Sequence, residues 1–162
     1  MFANRYTAFA DACTLAGTLK RNLLLTLAEA EFFRLRWSAQ VLDETERAIE
    51  KILNGKGAED AADRARRARA SMESAFEEAS VTDFDHFLPA CSELPDPNDR
   101  HVLAAALKTQ AATIVTDNLR DFPSDILSRL NIEARSADDF ISDTIAIDTG
   151  RAVAAISKQR DP

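Results

Sequence analysis

The sequence predicts an α/β domain with a mostly parallel central sheet. Short apolar segments suited to buried strands alternate with longer segments of helical periodicity, the pattern of a parallel sheet covered by helices. The clearest strand signal is TIVT (residues 113–116), a short run rich in β-branched residues. The 162 residues contain no repeat, low-complexity tract or interdomain linker, so we expect a single domain over residues 1–162.

The first elements are a strand and a helix. YTAFADAC (Tyr6–Cys13) is short and apolar, and it predicts a buried strand that ends near Asp11. A turn is expected around residues 16–17. Leucines then recur at helical spacing in a segment that Thr18 would cap. FRLRW (residues 33–37) predicts a second short strand.

A longer amphipathic helix follows, with Ser38 as the expected N-cap and an end at Asn54-Gly55. Glu44 and Glu46 fall on opposite flanks of its apolar stripe, and periodicity does not decide which of them reaches a cleft. The stripe consists of Val41, Leu42, Thr45, Ala48, Ile49, Ile52 and Leu53.

Residues 55–80 are rich in alanine and charge and contain few large apolar side chains. We expect a helical insertion or arm here, with a largely exposed helix that starts near Ala58. Its arginines either line a solvated face or contact RNA.

The second half of the chain begins with a strong helix start. Asp96 is an acidic N-cap, Pro97 occupies the first helical position and Asp99 the third. The segments after TIVT are predicted as a loop (117–123), a short helix (124–130), a strand (132–135) and two helices (138–147 and 149–158), the last capped by Asp148 or Thr149.

Composition excludes several classes of protein. No apolar run approaches the ~20 residues of a membrane span, and the N-terminus lacks the features of a signal peptide, so a cytoplasmic protein is expected. The 2 cysteines show no metal-ligand spacing and the 2 histidines are too few for a His-based metal site, so a zinc enzyme is not expected. The net charge of −7 argues against binding nucleic acid through overall charge, but bound divalent cations invert the sign of an acidic pocket locally.

Carboxylates collect where a parallel sheet would bring them together. Asp11 ends the first strand, Asp117 and Asp121 follow TIVT, and Asp99 lies in the helix that leads into that strand. The carboxyl ends of parallel strands share one edge, so these side chains could converge with Glu44. Such a cluster without His or Cys suits Mg²⁺ or Mn²⁺.

Each of these acids also has a purely structural explanation. Asp96 and Asp99 suit the start of a helix, where the helix dipole favours negative charge. Asp117 suits an Asx turn, Asp121 a turn before Pro123, and Glu44 a solvent-facing position. Composition and spacing alone leave both explanations open.

The stretch DPNDRHVLAAALKTQAATIVTDNLRDFP (residues 96–123) resembles the core of the PIN-domain family, in particular its bacterial branch of VapC-like toxin ribonucleases. DACTLAGTLKRNLLLTLA (11–28) looks like the opening strand and helix of that branch. RWSAQVLDETER (36–47) resembles its second acidic segment, and IEARSADDFI (132–141) its closing strand and helix.

The resemblance implies a Rossmann-like α/β/α sandwich and Mg²⁺- or Mn²⁺-dependent hydrolysis of RNA. It places the four family acids on Asp11, Glu44, Asp99 and Asp121, as catalytic residues. The metal ligands would be Asp11, Asp99 and Asp121, with Asp117 ranked below Asp121 although strand geometry alone favours Asp117. Thr116 and Asn118 would support the loop, and Arg64 and Arg67 would contact substrate.

Toxins of this branch usually pair with a small antitoxin and commonly dimerise, so the resemblance implies an antitoxin partner and a homodimer. Two alternatives from other classes stay open at this point. One is a non-catalytic PIN-like interaction module that retains its acids for stability or regulation. The other is a different Mg²⁺-dependent phosphoryl-transfer protein, such as an acidic-pocket receiver domain, although FADACT lacks the adjacent acidic pair of a receiver.

Overall fold

The computed structural model describes residues 6–160. The strands are β1 (Thr7–Ala10), β2 (Arg34–Arg36), β3 (Thr113–Val115) and β4 (Glu133–Arg135). They form a four-stranded sheet in the order β2-β1-β3-β4, in which every neighbouring pair is parallel. The expected α/β fold with a mostly parallel sheet is confirmed.

Helices flank this sheet. They are α1 (Ala12–Ala16), α2 (Thr18–Glu29), α3 (Ala39–Gly55), α4 (Ala61–Ala75), α5 (Arg100–Lys108), α6 (Ser124–Ser128), α7 (Ala137–Ile147) and α8 (Thr149–Arg160). Short 3₁₀ helices lie at Glu77–Ala79, Asp85–Cys91, Pro97–Asp99 and Leu119–Asp121. Ser38 caps α3 as predicted, accepting a hydrogen bond from the Val41 amide over 3.1 Å.

The two central strands end side by side. In the register of β1 and β3, Ala10 pairs with Val115, the last residue of each strand. The Asp11 amide donates to the Val115 carbonyl oxygen over 3.0 Å, which extends the pairing by one residue. Asp11 and Thr116 therefore leave the sheet at the same edge, as parallel strands require.

Some local details differ from the prediction. The chain forms the short helix α1 before the turn expected at residues 16–17, because the Asp11 carboxylate accepts the Ala12 amide and caps a new helix. Gly17, and not Thr18, occupies the N-cap position of α2. The helix expected from Ala58 begins at Ala61.

The core lies on both faces of the central strands. Phe9 of β1 and Ile114 of β3 are completely buried, as are Leu15 and Leu24 of the helices that follow β1. Each such side chain stabilises the fold by roughly 1.5–3 kcal/mol. Helix α5 contacts β1 and β3, and the small side chains of Ala104–Ala106, all completely buried, allow its close approach.

Helix α4 packs along α3 and is mostly exposed. Its buried residues are Ala61, Ala65 and Met72. At the end of α3, Ile52 is 42% exposed although it shares the angular position of the buried Val41. The end of α3 is therefore only partly covered, because Leu53 still packs against Ile49 and Ala65. Within residues 6–160, no helix has both the length and the apolar character needed to cross a bilayer.

Candidate metal centre

Asp11 joins the two central strands at their carboxyl ends. Its side chain is buried, and its Oδ1 accepts a hydrogen bond from the Ala12 amide over 2.8 Å. Its Oδ2 accepts another from Thr116 Oγ1 over 2.9 Å. Because β1 and β3 are far apart in sequence but adjacent in the sheet, this contact exists only in the folded chain.

The surroundings of Asp11 make its negative charge costly. Burial raises the pKa of Asp11 above its ordinary value, and hydrogen bonds from Thr116, the Ala12 amide and Cys13 oppose that increase. The charge of Glu44 raises the pKa further. Asp11 is thus a buried carboxylate oriented by donors and close enough to another carboxylate to be affected by it.

Three further carboxylates form a compact cluster, which we call the acidic triad: Asp96, Asp99 and Asp121. One oxygen from each lies within 4.8 Å of the others. Asp96 and Asp99 come from the 3₁₀ turn that leads into α5, and Asp121 comes from the turn that follows β3. The turn before α5 and the loop after β3 therefore meet at the acidic triad.

Within the acidic triad, Asp99 has a strongly raised pKa. Burial, followed by the negative charges of Asp11, Asp121 and Asp96, raises the pKa of Asp99 to about 7. Its Oδ2 is buried and has no hydrogen-bond partner among residues 6–160. A buried carboxylate oxygen without a donor is costly, and a proton or a cation would satisfy it.

The donor set fits a hard divalent cation. Carboxylate oxygens from Asp11 and the acidic triad supply the ligand type that Mg²⁺ and Mn²⁺ prefer, and the unpartnered Asp99 oxygen is free to bind. A bound cation would also offset the mutual repulsion that raises the pKa of Asp99.

Of the two candidate acids on α3, Glu44 lies toward this site. Glu44 Oε2 is 3.2 Å from Nε2 of His101 on α5, two residues beyond Asp99. Glu46 lies instead near α4, with its Oε1 3.5 Å from Arg69 Nη1. Tertiary packing thus distinguishes two glutamates that periodicity left equivalent.

Asp117 and Asp121 are also separated by the structure. Asp117 Oδ2 is 2.8 Å from Lys20 Nζ on α2, and Asp117 Oδ1 accepts the Ala137 amide at the start of α7 over 3.1 Å. Burial raises the pKa of Asp117, but the hydrogen bonds from Lys20 and Ala137 outweigh it, so the pKa lies below its ordinary value. Asp117 connects β3 to two helices and does not join the acidic triad.

The two residues predicted to support the loop make direct contacts there. Thr116 donates to Asp11 and accepts a hydrogen bond from the Asn118 amide over 3.1 Å, so its hydroxyl group links the carboxylate to the loop backbone. Cys13 Sγ lies 3.4 Å from the same hydroxyl oxygen and 3.6 Å from Asp11 Oδ2.

Arg64 and Arg67, predicted to contact substrate, lie on the exposed face of α4. Their guanidinium groups are 4.0 Å and 3.8 Å from the Asp60 carboxylate, and Arg67 Nε donates to the Asp63 carbonyl oxygen. The structure shows both arginines as exposed cations in local ion pairs, and substrate contact by them stays a prediction.

Sequence reasoning missed two residues of the site. Asp96 was interpreted as an N-cap alone, and it does accept the Asn98 amide over 2.9 Å, but its carboxylate also belongs to the acidic triad. The signal was the Asp-x-x-Asp spacing, which places both side chains on one side of a helical turn. His101 was dismissed as one of too few histidines for a metal site, and its contact with Glu44 could not be seen in any local pattern.

Comparison with known proteins identifies the family of this chain. Residues 8–120, more than two thirds of the chain, match a family model described as PIN domain. A 47-residue stretch is 51% identical to a Mycobacterium tuberculosis protein named "Putative ribonuclease VapC50". That stretch covers 29% of this chain and only 28% of the relative. No solved structure gave a significant match.

Proposed function

Because the chain belongs to the PIN-domain family, we propose that it is an endoribonuclease dependent on Mg²⁺ or Mn²⁺, which hydrolyses RNA phosphodiester bonds. The observation that carries this proposal is the convergence of carboxylates at the end of the two central strands. In particular, Asp99 has a buried oxygen without a partner among residues 6–160 and lies beside two other carboxylates. The name of the relative from M. tuberculosis supports RNA as the substrate.

Asp11, Asp99 and Asp121 are the residues proposed to hold the cation, with Asp96 beside them and Glu44 at the rim. A bound divalent cation would neutralise the site and act as a Lewis acid toward the phosphodiester. The chain itself prepares this site: Thr116 and the Ala12 amide orient the Asp11 carboxylate before any ligand arrives. Such preorganisation lowers the reorganisation needed when charge develops during the reaction.

We further propose that the protein is the toxin of a type II toxin–antitoxin system, with a small antitoxin as its partner and a homodimer as a second assembly. The net charge of −7 is compatible with a basic inhibitor. Leu19 of α2, 72% exposed, lies among apolar side chains between α2 and α7, which could serve as a docking face. Arg64 and Arg67 are proposed to bind the phosphate backbone of RNA.

The test is a cleavage assay with purified protein and RNA, supplied with Mn²⁺, with Mg²⁺ or with a chelator. We expect cleavage with either cation, none with the chelator, and none with D99N in any condition. Expression of the wild type should arrest growth and expression of D99N should not. Equal cleavage or equal growth arrest by the two proteins would overturn the proposal.

A further inference from the structure

A buried histidine connects α3, which carries Glu44, with α5, which follows the turn that carries Asp96 and Asp99. His101 lies on α5, is 8% exposed, and is followed by buried apolar residues from Val102 to Ala106. Its Nε2 lies 3.2 Å from Glu44 Oε2 on α3, within hydrogen-bonding distance. Packing alone at such a position would favour an aliphatic side chain, since a buried polar group is costly unless it is bonded.

The environment of the ring indicates which nitrogen carries the hydrogen. His101 Nδ1 is buried and has no hydrogen-bond partner within the described part of the chain, residues 6–160. A hydrogen on Nδ1 alone would be an unsatisfied buried donor and would leave Nε2 as an acceptor facing a carboxylate. Placing the hydrogen on Nε2 gives Glu44 a donor and leaves Nδ1 as an acceptor instead of an unsatisfied buried donor.

We propose that His101 is a positioning residue, which donates its Nε2 hydrogen to Glu44 and holds that carboxylate at the rim of the metal centre. This inference rests on the proposed function, because it concerns the same site. The side chain of Glu44 is long and 33% exposed, so without a partner it would populate several rotamers. Hydrogen bonds to carboxylates of a metal site fix their orientation in this way.

The decisive comparison is between H101Q and H101N. Both carry the same amide, but only glutamine brings its NH₂ group to the position of Nε2, where it can donate to Glu44. We expect H101N to bind Mn²⁺ about tenfold more weakly by titration calorimetry, and H101Q to stay within about twofold of the wild type. In RNA cleavage, kcat should follow the same order while KM changes little, and thermal melting should show that both variants fold.

A double-variant cycle with E44A separates positioning from packing. If His101 acts through Glu44, then E44A and E44A/H101N should bind Mn²⁺ equally and cleave RNA equally, because the group that His101 holds is already gone. The proposal would be overturned if the fold losses of E44A and H101N multiplied in the double variant. It would also be overturned if H101N kept the wild-type affinity for Mn²⁺, or if H101N and H101Q lost equal affinity.

D99N in the same experiments distinguishes this proposal from the one on which it rests. If the wild type neither binds Mn²⁺ nor cleaves RNA in its presence, the proposed function is wrong. If D99N loses both while H101N matches the wild type, only the role of His101 is wrong. Different results of the cleavage assay and the calorimetry therefore contradict the two proposals.

Discussion

Thr116 Oγ1 donates a hydrogen bond to Asp11 Oδ2 over 2.9 Å, so the residue that follows β3 holds the residue that follows β1. The same hydroxyl oxygen accepts the Asn118 amide, which ties the loop that carries Asp121 to the end of the sheet. One hydroxyl group therefore links the two halves of the proposed metal centre by hydrogen bonds. Threonine suits this position because its β-branched side chain favours the extended backbone at the end of a strand and its hydroxyl group makes both hydrogen bonds.

Replacing Thr116 with valine keeps the shape of the side chain and removes this bond. We expect T116V to lose roughly 1–3 kcal/mol of unfolding free energy, because a buried carboxylate oxygen loses its hydroxyl donor and keeps only the weak thiol donor Cys13. RNA cleavage should fall about tenfold, as when an outer-shell partner of a metal ligand is removed. T116S retains the hydroxyl group and should cleave like the wild type; equal losses in both variants would show that the hydroxyl group is not responsible. Urea unfolding and initial cleavage rates provide the two measurements.

Neutralising Asp11 or Asp99 should abolish cleavage and leave the fold intact. D11N and D99N keep the size of each side chain but replace one oxygen by an amide, which removes the charge that a divalent cation requires. Circular dichroism should show unchanged secondary structure, and RNA cleavage with Mn²⁺ should fall to background. Undiminished metal-dependent cleavage by both purified variants would refute the assignment.

Asp117 and Asp121 offer a matched pair in one loop. We expect D121N to lose cleavage, since its carboxylate belongs to the acidic triad, and D117N to retain it. D117N should lose roughly 0–1 kcal/mol of unfolding free energy, the usual contribution of an exposed ion pair, because its contact with Lys20 is weakened. Cleavage rates and urea unfolding of both variants provide the check, and the reverse order of activities would assign the ligand role to Asp117.

The raised pKa of Asp99 predicts how stability depends on pH when no divalent cation is present. The folded state holds this proton up to about pH 7, whereas the ordinary value is 3.8, so the contribution of Asp99 to stability is full below 3.8 and is lost as pH rises through about 7. We therefore compare the unfolding free energies of D99N and the wild type in the presence of a chelator. The difference between them should shift in favour of D99N between about pH 4 and about pH 8. We expect this shift to be roughly 1–2 kcal/mol. It is smaller than the full pKa shift would give, because solvent screens the charge of this partly exposed side chain.

The control for that experiment is Mn²⁺. Adding it at about pH 8 should stabilise the wild type, because the cation binds only the folded site, and should have little effect on D99N. Urea unfolding gives the unfolding free energy of the wild type and of D99N at both pH values, with and without Mn²⁺. Identical pH profiles for the two proteins would mean that Asp99 is not the group that titrates.

Asp96 has two roles that substitution can separate. Asparagine caps a helix as well as aspartate does, so D96N should keep its unfolding free energy while removing a charge from the acidic triad. We expect D96N to bind Mn²⁺ roughly tenfold more weakly by calorimetry. D96A removes the cap as well and should lose a further ~1 kcal/mol of stability. Wild-type Mn²⁺ affinity in D96N would limit Asp96 to capping.

Local signals explain the parts of the fold that the sequence predicted well. The first three residues of TIVT form the buried strand β3, Ser38 caps α3, and Asp96 caps the turn that leads into α5. Each of these depends on contacts within about four residues or on the burial expected of a β-branched run. The short helix α1 was missed because its cap, Asp11, was interpreted only as the end of a strand.

The sequence by itself determined the fold class, the family resemblance and most element boundaries, because these follow from periodicity, capping and motif order along the chain. Only the tertiary structure decided that Glu44 and not Glu46 lies toward the site, that Lys20 and the start of α7 engage Asp117, and that Asp96 joins the acidic triad. The physical reason is that a carboxylate is directed by the charges and donors around it. In this protein those partners come from helices and strands distant in sequence, which only the order of strands in the sheet brings together.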